Sequence, residues 1–142
     1  MMPRIALLLL LLVALATSGC ASTRQASVPN LPPGDAKRGR DLFAQPSIRN
    51  TFGCVTCHSL ARTKVIVGPS LWGVATRAGR IVQSPSYRGT ATSAEEFLRE
   101  SITRPDANIA PGFAHSVMPD WLTVLSEQEI QDLVAYLLTQ TE

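Results

Sequence analysis

The sequence predicts an all-α fold wrapped around one covalently attached prosthetic group, on three observations. Cys54-Val55-Thr56-Cys57-His58 places two thiols on one short turn with an imidazole directly after them. Ser93-Ala94-Glu95-Glu96 and Ser126-Glu127-Gln128-Glu129 are capping boxes, which open helices by satisfying their first free N–H groups. The second box is followed by Ile130, Leu133, Val134, Leu137 and Leu138 at one-face helical spacing. No segment has a strong strand signature, although Val65 to Val67 and Ile81 to Gln83 could be short strands.

Cys-x-x-Cys-His is the attachment pattern of a c-type haem. Each thiol can add to one vinyl group on the haem edge, and the next residue then lies under the ring, within reach of the iron. A thioredoxin-like site would want a βαβ setting, which is missing. A zinc site would need two more ligands, and the only other histidine is His115. One covalent haem c on Cys54 and Cys57, with His58 on the iron, is therefore expected.

The chain has 142 residues, enough for one domain and an appendage. Arg4 and an unbroken apolar run from Ile5 to Ala16 read as a secretory signal, too short to span a bilayer comfortably. Pairing off the motif cysteines leaves Cys20 odd. Ser18-Gly19-Cys20 resembles a bacterial lipoprotein processing site, in which the cysteine becomes an acylated N-terminus. Cleavage after Ala14-Leu15-Ala16, leaving a free Cys20, is the alternative. The expected organisation is a signal over 1–19, a lipid-anchored tether over 20–34 containing Pro29, Pro32 and Pro33, and a haem domain over 35–142. It would lie outside the cytoplasm, anchored on the outer face of the cytoplasmic membrane.

Net charge is +2, and nothing suggests a nucleic-acid partner. The charge is uneven. Basic residues dominate from Lys37 to Arg104, and from Pro105 onward there is no Lys or Arg. Such a dipole can orient a protein on its partners, and Arg49, Arg62 and Lys64 could guide an acidic one to the haem edge.

Along the domain, Asp35 reads as the N-cap of a helix over Ala36 to Gln45, with Gly39 and Phe43 on one face and Pro46 as its stop. A glycine inside a helix invites a packing reason, such as close approach of another helix. Gly68-Pro69-Ser70-Leu71 could turn the Pro69 carbonyl towards the free nitrogen of His58. Leu71 and Trp72 are expected over or beside the ring. Gly73, Gly79 and Gly89 make the next stretch read as loop. A helix over Ala94 to Thr103 should bury Phe97, Leu98 and Ile102, and one over Glu127 to Gln140 should close the chain. Between them, Asp106 to Asp120 reads as a long irregular loop, a feature that is usually functional.

That loop holds Met118, the only methionine outside the leader. A soft thioether suits iron, and a second ligand would fill the sixth position, leaving only electron transfer. His115 is the rival ligand.

Together these residues resemble the class I cytochromes c, over about Asp35 to Gln140. Gly39 with Phe43, and Val134-Ala135-Tyr136-Leu137, look like the family's packed terminal helices. Gly68-Pro69-Ser70-Leu71-Trp72-Gly73 through Arg77 is similar to its Gly-Pro-x-Leu-x-Gly segment. The resemblance implies that the Pro69 carbonyl holds the proximal histidine and that Arg77 approaches a propionate. Pro69, Leu71, Trp72, Arg77 and Leu98 are thus expected in the haem pocket, with His58 and Met118 as axial ligands. The implied function is one-electron transfer rather than catalysis by the chain alone. Its partners would be redox proteins or subunits of a respiratory or photosynthetic membrane complex, such as alternative complex III or a terminal oxidase. The alternatives are a tethered shuttle between complexes, a haem enzyme or gas sensor with a displaceable methionine, and a subunit whose haem only staples the fold.

Overall fold

The computed structural model describes residues 31–142. The leader, Cys20 and most of the expected tether lie outside the described residues. No helix among the described residues is long and apolar enough to cross a membrane.

Helix α1 spans Ala36–Phe43, starting where the Asp35 carboxylate accepts from the N–H groups of Lys37 and Arg38 at 2.8 and 2.9 Å. It buries Gly39 and Phe43, the face the sequence marks. An antiparallel hairpin follows, β1 Ser47–Ile48 and β2 Thr51–Phe52, with Ser47 opposite Phe52 and Ile48 opposite Thr51. The sequence reads this stretch as loop, because two-residue strands are too short to show alternation. One helical turn, α2 Cys54–Cys57, carries the thiols.

Helix α3, Val74–Val82, corrects the expectation of a loop with short turns. It also replaces the possible strand at Ile81 to Gln83. Gly73 precedes it with φ +63, a left-handed conformation that glycine adopts without a Cβ clash. Val74 and Ala78, one turn apart, are buried, and this face offsets the poor helix propensity of Gly79.

Helix α4 spans Ala94–Thr103 as expected and buries Phe97, Leu98 and Ile102. Its capping box is shifted by one residue. The Ser93 hydroxyl accepts from the Glu96 N–H at 3.1 Å, but the Glu96 carboxylate accepts from Thr92 rather than Ser93. Unexpectedly, α4 also buries Glu100. That carboxylate accepts from the Tyr87 hydroxyl, from the Thr90 N–H and hydroxyl at 3.0 and 2.9 Å, and from Arg104. Such partners are what a buried charge requires. The stretch from 104 to 120 is irregular as expected, holding a 3-10 turn at Pro105–Ala107; a second one follows at Trp121–Thr123.

Helix α5, Glu127–Leu138, ends two residues before the expected Gln140. Its capping box is reciprocal: Ser126 Oγ accepts from the Glu129 N–H at 3.3 Å, and Glu129 Oε2 accepts from the Ser126 N–H at 2.7 Å. Ile130, Leu133, Val134 and Leu137 are buried in a core shared with Phe43, Phe97, Leu98 and Trp121.

α1 and α5 cross where Gly39 meets the Asp132 carbonyl; a Cβ there would overlap that backbone and lie 2.9 Å from the Tyr136 Cβ. The rings of Phe43 and Tyr136 pack at 5.6 Å beside the crossing. Asp132 clamps it. This carboxylate, 4% exposed, accepts from Arg38 Nε at 2.7 Å and Nη2 at 2.9 Å, from the Asp35 N–H at 2.7 Å and from Gln128 Nε2 at 3.0 Å. The Arg38 bonds first, then the Asp35 N–H, hold its carboxyl below the usual value despite burial. A depressed folded value means that its contribution is complete above the unfolded carboxylate range of about 4 and is lost as pH falls through the folded value. Asp132→Asn is expected to lower stability at pH 7 and to flatten the decline below about pH 4, measured as denaturant midpoints across pH.

Candidate functional site

Between α2, α3, α4 and the loop before Trp121 lies a cavity of about 560 Å³. Its walls are mostly apolar, and the Cys-x-x-Cys-His motif forms one side of them.

The motif is tied down through its neighbours. The Gly53 N–H and the Thr56 hydroxyl both donate to the Pro46 carbonyl, at 2.9 and 2.7 Å. Cys54 and Cys57 both line the cavity, with no disulfide between them. Before attachment, burial pushes the Cys54 thiol up to about 11.

His58 leaves the turn in extended backbone, its N–H donating to the Cys54 carbonyl at 2.8 Å. Its Nδ1 lies 2.9 Å from the Pro69 carbonyl oxygen, an acceptor only, so Nδ1 carries the proton and donates. Burial lowers the imidazole's pKa, with the Pro69 bond partly opposing it. The ring is therefore neutral at pH 7, and Nε2 keeps a free lone pair, the form that binds a metal. The loop reaches the ring this closely because residue 68 is glycine; a Cβ there would sit 2.8 Å from Nδ1.

Arg77 braces the same loop from α3. Its Nη2 donates to the Ser70 carbonyl at 2.7 Å and its Nη1 to the Trp72 carbonyl. Its side chain also borders the cavity, and a guanidinium has five donors, so capacity remains for an anionic group there.

Of the pocket residues expected from sequence, Pro69, Leu71, Arg77 and Leu98 line the cavity, and Met118 joins them from the loop before Trp121. Trp72 does not line it. Its indole instead carries the Arg62 guanidinium, 4.9 Å from the ring centroid, a cation–π contact. His115 does not line it either, and its side chain is 73% exposed. Of the basic residues near the motif, Arg49 pairs with Glu129 at 3.0 Å, whereas Lys64 makes no salt bridge among the described residues. Sequence reading missed Phe52, Val74, Ala78 and Ile102 as lining residues. The i, i+4 spacing of Val74 and Ala78 was the available signal for two of them.

The donor set fits a covalent haem: two adjacent thiols, a neutral imidazole with its second nitrogen fixed, and a large apolar cavity. The family model described as Cytochrome c matches residues 36–141. The chain belongs to the cytochrome c family. It is a class I cytochrome c in fold, it carries haem c covalently, and its function is electron transfer. The matched region of this cytochrome begins with α1 and ends just after α5, so it spans the clamped crossing and the whole cavity wall.

Proposed function

We propose that this cytochrome is a lipid-anchored, single-haem electron carrier of a membrane electron-transport complex. Cys54 and Cys57 hold the haem, and His58 and Met118 ligate its iron. The observation that carries the ligation is the His58–Pro69 hydrogen bond, which leaves Nε2 free in a cavity also lined by the chain's one methionine beyond the leader.

When bound, the haem supplies an iron that takes up and gives up one electron. The residues decide the rest. Nδ1–H donation to Pro69 fixes the imidazole's tautomer and orientation and raises its basicity as a ligand. A neutral imidazole and a thioether suit both oxidation states, so neither needs to move a proton during transfer. The apolar walls, among them Leu71, Phe97 and Leu98, disfavour the extra charge of the ferric state and raise the potential. Phe52, which is 74% exposed, marks the open rim beside the cysteines, where electrons would leave.

Anchoring rests on Ser18-Gly19-Cys20 after the apolar run, and it would hold the domain on the outer face of the cytoplasmic membrane. The test is a native gel of mildly solubilised membranes, stained for covalent haem and probed for this chain. Co-migration with a large complex is expected, with Cys20→Ser moving the haem-stained chain to the soluble exported fraction. A chain running alone near its own mass would make it a tethered shuttle. Full membrane retention of Cys20→Ser would refute the lipid anchor.

A further inference from the structure

Residues 114–119 present Met118 to the cavity. Among the described residues, every hydrogen bond that this segment makes ends on one side chain, the carboxylate of Asp106. The Ser116 N–H donates to Asp106 Oδ1 at 2.8 Å, and the Ser116 hydroxyl donates to Oδ2 at 3.0 Å. His115 Nδ1 stands 3.9 Å from the same carboxylate. Asp106 belongs to a different element, the 3-10 turn Pro105–Ala107 that closes α4. The Ser116 bonds hold its carboxyl below the usual range, so it is anionic at neutral pH.

Two further features show that the segment needs this hold. Ser116 has φ +59, a left-handed conformation that a residue with a Cβ disfavours and that persists only where its surroundings over-determine it. Met118 also lines a second cleft, of about 490 Å³, with Asp106, Ser116 and Asp120 around it. A released segment therefore has space to swing away from the cavity.

We propose that Asp106 is a positioning residue for Met118: by fixing Ser116 two residues earlier, its carboxylate keeps the thioether at the iron. The inference rests on the His58/Met118 ligation proposed above. Asp106 also borders the cavity, and the role assigned to it runs through its bonds to Ser116. Asp106 acts only on the fraction of time the sixth position is filled.

The test is competition by imidazole for the sixth position of the ferric protein. Apparent imidazole affinity scales with the fraction of protein in which the thioether is off. Asp106→Ala removes two charge-assisted bonds to a partly exposed loop and is expected to tighten imidazole binding about tenfold. Asp106→Asn keeps an oxygen for the Ser116 N–H and should recover part of that difference, which also covers the case in which the alanine variant fails to fold. Asp41→Ala removes a surface carboxylate paired with Lys37 and Arg40 and should match the wild type. Denaturant midpoints taken alongside separate the two roles: a merely structural Asp106 would move the midpoint and leave imidazole affinity alone. Wild-type imidazole affinity in both Asp106 variants would overturn the inference. If wild-type ferric protein shows no thioether-to-iron charge-transfer absorption, the ligation itself fails and the inference with it. If the absorption is present and the variants bind imidazole as the wild type does, only the inference fails.

Discussion

Cys54→Ala/Cys57→Ala is expected to leave residues 36–141 without a cooperative fold, not as a hollow copy of the native domain. The cavity is about 560 Å³. At ~24 cal/mol per Å³ of unfilled core, that is about 13 kcal/mol. A domain of this size is stable by only about 5–15 kcal/mol in total. Water entering through the open rim would relieve some of the penalty, but half of it would still match the lower end of that range. The haem thus replaces core that the chain does not supply, as befits a domain of about a hundred residues. The checks are near-ultraviolet circular dichroism and a thermal scan of the variant. A sharp transition with native-like aromatic signals would refute the expectation. A single substitution keeps one thioether and should keep the fold.

Gly39→Ala is expected to destabilise the holoprotein by about 2–4 kcal/mol, although alanine is the better helix former by about 1 kcal/mol. The added Cβ would overlap the Asp132 backbone carbonyl and crowd the Tyr136 Cβ at 2.9 Å. Neither can rotate away, because the carbonyl belongs to α5 and the Asp132 side chain is already held by Arg38 and Asp35. The helices must separate, loosening the Phe43–Tyr136 contact as well. Gly79→Ala is the internal control. Nothing lies within 4 Å of a Cβ there, so the same substitution should be neutral or stabilising by up to about 1 kcal/mol. Paired guanidinium titrations decide it, and equal midpoints for the two variants would sink the close-packing argument.

These two glycines also mark what the sequence makes legible. α1, α4 and α5 could be read because their signals are local: Asp35, Ser93 and Ser126 as caps, and apolar residues at helical spacing behind them. α3 could not, since Gly73 and Gly79 read as breakers, while the burial of Val74 and Ala78 is tertiary. Gly39 and Gly79 carry the same letter, and only the neighbouring backbone tells close packing from open space. The haem motif and its His58–Pro69 support could be placed because they lie close in sequence and resemble a family pattern. Trp72 was misplaced because an apolar residue beside lining residues can still face outward, here under Arg62. The burial of Glu100 and Asp132 was invisible. Asp132 finds its partners Asp35 and Arg38 97 and 94 residues away, and no local pattern carries that information.

That long reach has a consequence for timing. A chain emerging N-terminus first presents Cys54 to His58 well before Ser126 and α5 exist, so α1 spends that interval without the helix it packs on. Closing so long a loop is among the slower steps a small domain takes. The turn from Cys54 to His58 is therefore formed from a stretch of chain that emerges while the walls of the cavity are still incomplete. The last helix to appear is thus the one that completes the crossing with α1.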